Sequence, residues 1–132
     1  MKLVEKEISL DAIQQNPSTN TFIIHKGLTP ERWFKFSLDE QLANVGTDVE
    51  RIIRHRNNGQ MKESQAAFER ALELLYFTIE DPKNRNRLKE LCRVRFMLVD
   101  YFVYDNEYRS TDEQWQNYFY QFNYAAAIAR GK

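Results

Sequence analysis

An apolar stripe in the first half of the chain sets the fold class. Spacings of four, three, four and three residues separate its members, Leu38, Leu42, Val45, Val49 and Ile52. Such spacing keeps one face of an α-helix apolar over about four turns. Ser37 and Glu40 fit a capping box at the start, and the Asn-Asn-Gly of residues 57–59 marks the end. The stripe therefore predicts a long helix that buries one face.

Comparable patterns follow along the chain. They predict a second helix over about residues 61–80, a third from the Asp-Pro of residues 81–82 to about 104, and a fourth over about 111–130, opened by a capping box in residues 110–113. Thr29 and Pro30 predict a short extra helix through residue 36. Gly46 lies inside the first long helix, where glycine costs stability and indicates a close helix contact.

Short connections between helices of this length favour antiparallel neighbours. The predicted fold is all-α: an up-and-down antiparallel four-helix bundle with a short extra helix and an irregular N-terminal arm. The arm covers residues 1–28, with a turn in 16–20 and an extended run in 21–24, and the helical bundle domain covers residues 29–132.

Composition narrows the classes of function. Basic and acidic residues both number 19, so the chain has no overall positive field for nucleic acid. A single cysteine, Cys92, cannot form an intramolecular disulfide and is expected in the core, which favours a reducing cytoplasm. No apolar run approaches the length of a membrane span.

Motifs for catalysis or cofactor binding are lacking in the sequence. His25 and His55 are the only histidines, and neither belongs to a Glu-x-x-His pair that would bind iron or another metal. The glycines are scattered and form no phosphate-binding loop. Glu69 and Glu73, one turn apart, are typical of a solvated helix face. We therefore expect no catalytic residues, no metal and no cofactor.

The fourth helix carries the main functional signal, because six aromatic residues lie within ten positions. Tyr118 and Phe122 are expected to face inward, while Tyr120 and Tyr124 form a second patch on another face. Aromatic residues are enriched in the centres of interfaces. The interface candidates are Trp115, Tyr118, Tyr120 and Tyr124. Three explanations stay open for them: bundle-edge tyrosines with hydrated hydroxyls, self-association, and binding of a foreign partner or ligand.

Two basic clusters lie at the end of the first helix and the start of the third. We expect both at one end of the bundle, where they would join into a positive patch. The patch is either a solvated surface or a site for RNA or another polyanion, whose binding would weaken with salt. The candidate residues for polyanion binding are Arg51, Arg54, Arg56, Arg85 and Arg87.

Residues 95–102 resemble the Arg-x4-6-His motif of the HEPN superfamily. Arg95 matches the motif arginine and Phe102 the aromatic residue after the histidine, but Asp100 replaces the histidine. The resemblance implies a small helical bundle of a kind that often dimerises, cleaves RNA or accompanies a nucleotidyltransferase. Without the histidine, ribonuclease activity is disfavoured. Residues 32–38, 67–75 and 105–108 are also similar to small all-helical prokaryotic proteins of unassigned function.

These observations favour a non-catalytic protein-protein interaction or assembly module, cytoplasmic and homo-oligomeric through the aromatic surface of the fourth helix. The alternative is an RNA-associated HEPN-like module, possibly partnered by a nucleotidyltransferase. Arg95 borders the apolar stripe of the third helix and is expected to pair with Glu73 or Glu69 on the second.

Overall fold

The computed structural model describes residues 2–5 and 27–131. Five α-helices follow one another in this part of the chain, and it contains no β-strand. A 3₁₀ helix, Pro82–Arg87, lies between the third and fourth of them. The α-helices are α1 (Pro30–Trp33), α2 (Leu38–Asn57), α3 (Met61–Glu80), α4 (Leu88–Phe102) and α5 (Asp112–Arg130). The predicted all-α fold is confirmed.

The starts of α2 and α5 show how local sequence sets the helix boundaries. Ser37 accepts a hydrogen bond from the backbone of Glu40, whose side chain bonds back to the Ser37 backbone, so the predicted capping box is confirmed. The box that opens α5 lies one residue later than predicted, because it joins Thr111 to Gln114. Thr29 caps α1, with Pro30 in its first turn.

The ends of the helices establish the up-and-down topology. The 3₁₀ helix lies beside the start of α2, since Asn84 Nδ2 donates to Gln41 Oε1 at 2.8 Å. At the other end of α2, Arg56 lies over the ring of Phe102, the last residue of α4, and bonds to Asp112, the first residue of α5. Helices α2 and α4 therefore run parallel, and α3 and α5 run antiparallel to them.

All four long helices contribute to one core. Helix α2 packs closely against α3 and α5, and α4 packs against α3. The apolar stripe of α2 is buried as predicted, apart from the half-buried Leu38 at its start. The largest buried side chains from the other helices include Phe68, Leu75, Phe77, Leu91, Leu98, Trp115, Phe119 and Phe122.

The close contact expected at Gly46 lies between α2 and α5. A Cβ atom added at Gly46 would lie only 2.7 Å from Phe119 Cβ and 3.0 Å from Phe119 Cγ. These atoms lie at the base of the phenylalanine side chain and cannot swing away. Glycine is therefore required here for the two helices to approach.

A buried polar network holds α1, the start of α2 and the end of α3 together. Gln41 is fully buried. Its Nε2 donates to Asp81 at 2.8 Å and to the Trp33 carbonyl at 3.0 Å, and its Oε1 accepts a hydrogen bond from Asn84 at 2.8 Å. Trp33 Nε1 donates to Thr78 Oγ1 at 2.9 Å. The sequence predicted only a break and the beginning of a helix at residues 81–87. Residues 82–87 form a 3₁₀ helix instead, and Asp81 and Asn84 bond to this network.

Residues 2–5 lie along α3 and α4. Leu3 is buried in the core, and its backbone N–H donates to the Phe102 carbonyl at 3.0 Å. The Gln65 side chain exchanges two hydrogen bonds with the Val4 backbone. The start of the predicted arm thus packs with the bundle. The turn predicted at 16–20 and the extended run predicted at 21–24 lie outside the described residues.

Candidate functional site

The aromatic residues of α5 divide between the core and the surface. Trp115, Phe119 and Phe122 are buried, and Tyr118 is half-buried with its hydroxyl donating to Glu90 Oε2 at 2.7 Å. Burial and the Glu90 carboxylate raise the pKa of Tyr118. Trp115 and Tyr118 were predicted as interface candidates; Trp115 is buried and lines the groove between α2 and α5 described below, and Tyr118 bonds to Glu90 of α4.

Tyr120 and Tyr124 form the exposed patch that the sequence predicted. They are 65% and 58% exposed, and their rings stack with centroids 6.3 Å apart and an interplanar angle of 23°. Residues four apart on a helix lie on the same face, which brings the two rings together. The pair, here called the tyrosine pair, is a preformed apolar surface with two hydroxyl groups.

A groove between α2 and α5 lies beside the tyrosine pair. Its volume is about 510 Å³, and Tyr120 forms part of its wall. Gly46 and Phe119 lie at a close contact between the two helices. The other lining residues are Ala43, Thr47, Val49, Glu50, Arg51, Arg54, Trp115, Gln116, Asn117 and Asn123. The sequence indicated the tyrosines and Gly46, but no local pattern indicated a groove formed by two helices distant in sequence.

Trp115 has an unusual polar environment in the wall of this groove. Its Nε1–H is buried and has no hydrogen-bond partner. Among the described residues, no other buried side-chain nitrogen or oxygen lacks a hydrogen-bond partner. A buried donor without a partner costs about 1–3 kcal/mol.

The groove carries charges of both signs on α2. Glu50 accepts a hydrogen bond from Gln116 Nε2 at 3.2 Å, across the groove. Arg51 is paired with the buried carboxylate of Asp48 at 3.0 Å. Arg54 is exposed and has no hydrogen-bond or ion-pair partner in the described part of the chain. The groove is therefore neither strongly basic nor strongly acidic.

The predicted joined basic patch is wrong. The first cluster lies at the end of α2, while Arg85 and Arg87 lie beside the start of α2, at the opposite end of the bundle. The reason is topological. Alternate helices of an up-and-down bundle run parallel, so the end of α2 and the start of α4 lie at opposite ends of the bundle.

Three of the five proposed polyanion-binding arginines have acidic partners, and Arg51, paired with Asp48, is one of them. Arg87 pairs with Glu90 at 2.8 Å. Arg56 bonds to both oxygens of Asp112, at 2.6 and 2.7 Å, and lies over the ring of Tyr101. Arg54 and Arg85 are the polyanion candidates without such a partner among the described residues, and they lie at opposite ends of the bundle.

The cluster of Arg56, Asp112 and Tyr101 joins the ends of α2 and α4 to the start of α5. The Tyr101 hydroxyl also donates to Asp112. Burial alone raises the pKa of the Asp112 carboxyl, but the hydrogen bonds from Tyr101 and Arg56 outweigh it and hold that pKa below its ordinary value. The cluster is a structural clamp.

The residues behind the HEPN resemblance have structural partners. Arg95 pairs with Glu5 at 2.8 Å; the expected pairing with Glu73 or Glu69 is wrong, because residues 2–5 bring a nearer carboxylate. Asp100 is buried and accepts hydrogen bonds from the backbone N–H groups of Glu107 and Tyr108. It shapes the connection between α4 and α5.

A second aromatic pair, which no pattern in the sequence indicated, joins the outer face of α4 to the connection that follows it. Phe96 and Tyr108 are 59% and 56% exposed, and their rings meet edge to face at 5.8 Å. Cys92, expected in the core, is exposed one turn before Phe96. The error has a simple cause: Cys92 follows the buried Leu91, about 100° around the helix.

Comparisons with protein-family models, with curated proteins and with solved structures gave no significant match. Within the described ranges, no group of three or more histidine, cysteine or acidic residues is placed to hold a metal ion. In the same ranges, no helix has the length and apolar character needed to cross a membrane.

Proposed function

We propose that this chain is a non-catalytic protein-protein interaction module that assembles with copies of itself through the tyrosine pair and the neighbouring groove. One observation carries the proposal: two stacked tyrosines remain more than half exposed beside a groove of about 510 Å³. Tyrosine buries a large area at low cost in conformational entropy, which makes such a pair suited to an interface centre.

Charge is compatible with self-association. The chain has equal numbers of acidic and basic residues, so two copies do not repel each other through net charge. The groove carries both signs, which allows one copy to complement another. A cytoplasmic location belongs to this proposal, and the single cysteine supports it.

We do not propose RNA binding, because its main support was a joined basic patch. The two clusters lie at opposite ends of the bundle, and Arg56 and Arg87 are paired with acidic side chains. Neither end alone offers the dense positive surface that phosphate binding needs.

Sedimentation equilibrium of a double variant, Tyr120→Asp/Tyr124→Asp, tests the proposal. The variant places two carboxylates on the proposed interface, so we expect a folded monomer where the native chain is oligomeric. The matched control, Gln121→Asp/Ala129→Asp, adds the same charge at exposed positions of the same helix and should retain the native mass. An oligomer that both variants leave intact would contradict the assigned surface.

A further inference from the structure

Two opposite charges on α2 border the groove without pairing with each other. Glu50 and Arg54 are both exposed and lie one helical turn apart. The Glu50 carboxylate contacts Gln116 of α5. In the described part of the chain no ion pair includes Arg54, although a glutamate four residues before an arginine is well placed for one.

This arrangement restricts how a second copy can approach. In an isologous dimer every contact between two different residues occurs twice: residue i of one protomer meets residue j of the other, and residue j meets residue i. If α2 and its counterpart ran parallel, Glu50 would face Glu50 and Arg54 would face Arg54, which is repulsive. An antiparallel approach, with the twofold axis between the two positions, places opposite charges against each other twice.

We propose that the groove face pairs with a second copy of this chain about a twofold axis, with Glu50 of each protomer facing the partner's Arg54. The inference rests on the proposed self-association and adds its geometry. Arg51 is not required for the pairing, because Asp48 already binds it at 3.0 Å. Tyr120 lines the groove and stacks on Tyr124, so the tyrosine pair supplies the apolar contact area beside the two charges.

Charge reversal at the two positions tests the geometry. Glu50→Arg alone gives a face with two cations, and Arg54→Glu alone gives a face with two anions. Each variant should self-associate more weakly, with a dimer dissociation constant raised on the order of 10- to 100-fold, because like charges meet twice. Mixed in equal amounts, the two variants should form a heterodimer that neither forms by itself.

The double variant Glu50→Arg/Arg54→Glu restores both contacts in reverse and should dimerise like the native chain. The control, Lys62→Glu/Glu63→Arg, exchanges charges at exposed positions of α3 and should leave the dissociation constant unchanged. Sedimentation velocity with one variant carrying a fluorescent label measures the heterodimer directly.

The outcomes separate this inference from the proposed function. A native chain that is monomeric at all concentrations overturns both. A native dimer that dissociates in Tyr120→Asp/Tyr124→Asp, but whose two charge variants do not combine when mixed, overturns the antiparallel geometry alone. Heterodimer formation together with recovery in the double variant supports both.

Discussion

The two halves of α2 use polar side chains in opposite ways. In the first half, Gln41 is fully buried and its three hydrogen bonds join the helix to Trp33, Asp81 and Asn84. In the second half, Arg54 faces solvent beside the groove with no partner among the described residues.

The difference separates stability from recognition. Buried polar groups with every hydrogen bond satisfied fix one arrangement of the elements around them. Exposed groups that remain unpaired contribute little to folding and remain available to another molecule. Changes in the first half should therefore alter the free energy of unfolding, and changes on the groove face should alter association.

Gln41→Leu should have the largest effect on folding. It removes three buried hydrogen bonds, each worth about 1 kcal/mol, so the free energy of unfolding should fall by about 3 kcal/mol. Urea denaturation measures the loss. Asn44→Ala, an exposed change on the same helix, is the control and should cost less than about 1 kcal/mol. Equal effects would show that the network does not stabilise the fold.

Asp112→Asn should lower the free energy of unfolding by about 2 kcal/mol at neutral pH, because Arg56 then loses its charged partner. Hydrogen bonds from Tyr101 and Arg56 outweigh the effect of burial and keep the pKa of Asp112 below its ordinary value. The ion pair therefore stabilises the protein above the unfolded pKa of about 3.9, and this stabilisation is lost as pH falls through the lower folded pKa.

The native and Asp112→Asn stabilities should accordingly converge in acid. Denaturation series at neutral pH and below about pH 4 measure this convergence. Glu113→Gln removes a carboxylate from the same helical turn at an exposed position and is the matched control. A difference between native and Asp112→Asn that is constant across pH would contradict a role for the carboxylate charge.

Gly46→Ala should destabilise by about 1 kcal/mol, as the difference between an overpacking cost of about 1–3 kcal/mol and a helix-propensity gain of about 1 kcal/mol. The cost follows from the 2.7 Å approach to Phe119 Cβ. Thermal denaturation measures it, with Thr47→Ala as a neighbouring control. A rise in melting temperature would show that α2 and α5 can separate at this point.

The smallest effect on folding is expected for Tyr120→Asp/Tyr124→Asp. Both side chains are more than half exposed, so the free energy of unfolding of the monomer should change by no more than about 0.5 kcal/mol per site. Urea denaturation at low protein concentration, where the native chain is dissociated, measures this value. A large loss would mean that the tyrosine pair belongs to the folding core.

The sequence was informative where a local pattern determines structure. The stripe of α2, the capping box at Ser37 and the outward position of Tyr120 and Tyr124 depend on helical spacing alone, and all are confirmed. Gly46 could be identified because a glycine inside a long helix needs a packing reason.

Features that depend on distant residues were missed or misplaced. The groove requires α2 and α5 to be neighbours, and the Arg95 partner is Glu5, which lies 90 residues away. The basic clusters were assigned to one end because the direction of the third long helix was mistaken. Hydrophobic periodicity specifies which face of a helix is buried, but not which polar groups meet across elements.

Light scattering of the native chain over a wide concentration series is the most direct test of self-association. We expect a molar mass that rises from that of one chain to that of two as concentration increases. A mass of one chain at every concentration would contradict the claim that the tyrosine pair and the groove form a self-association surface.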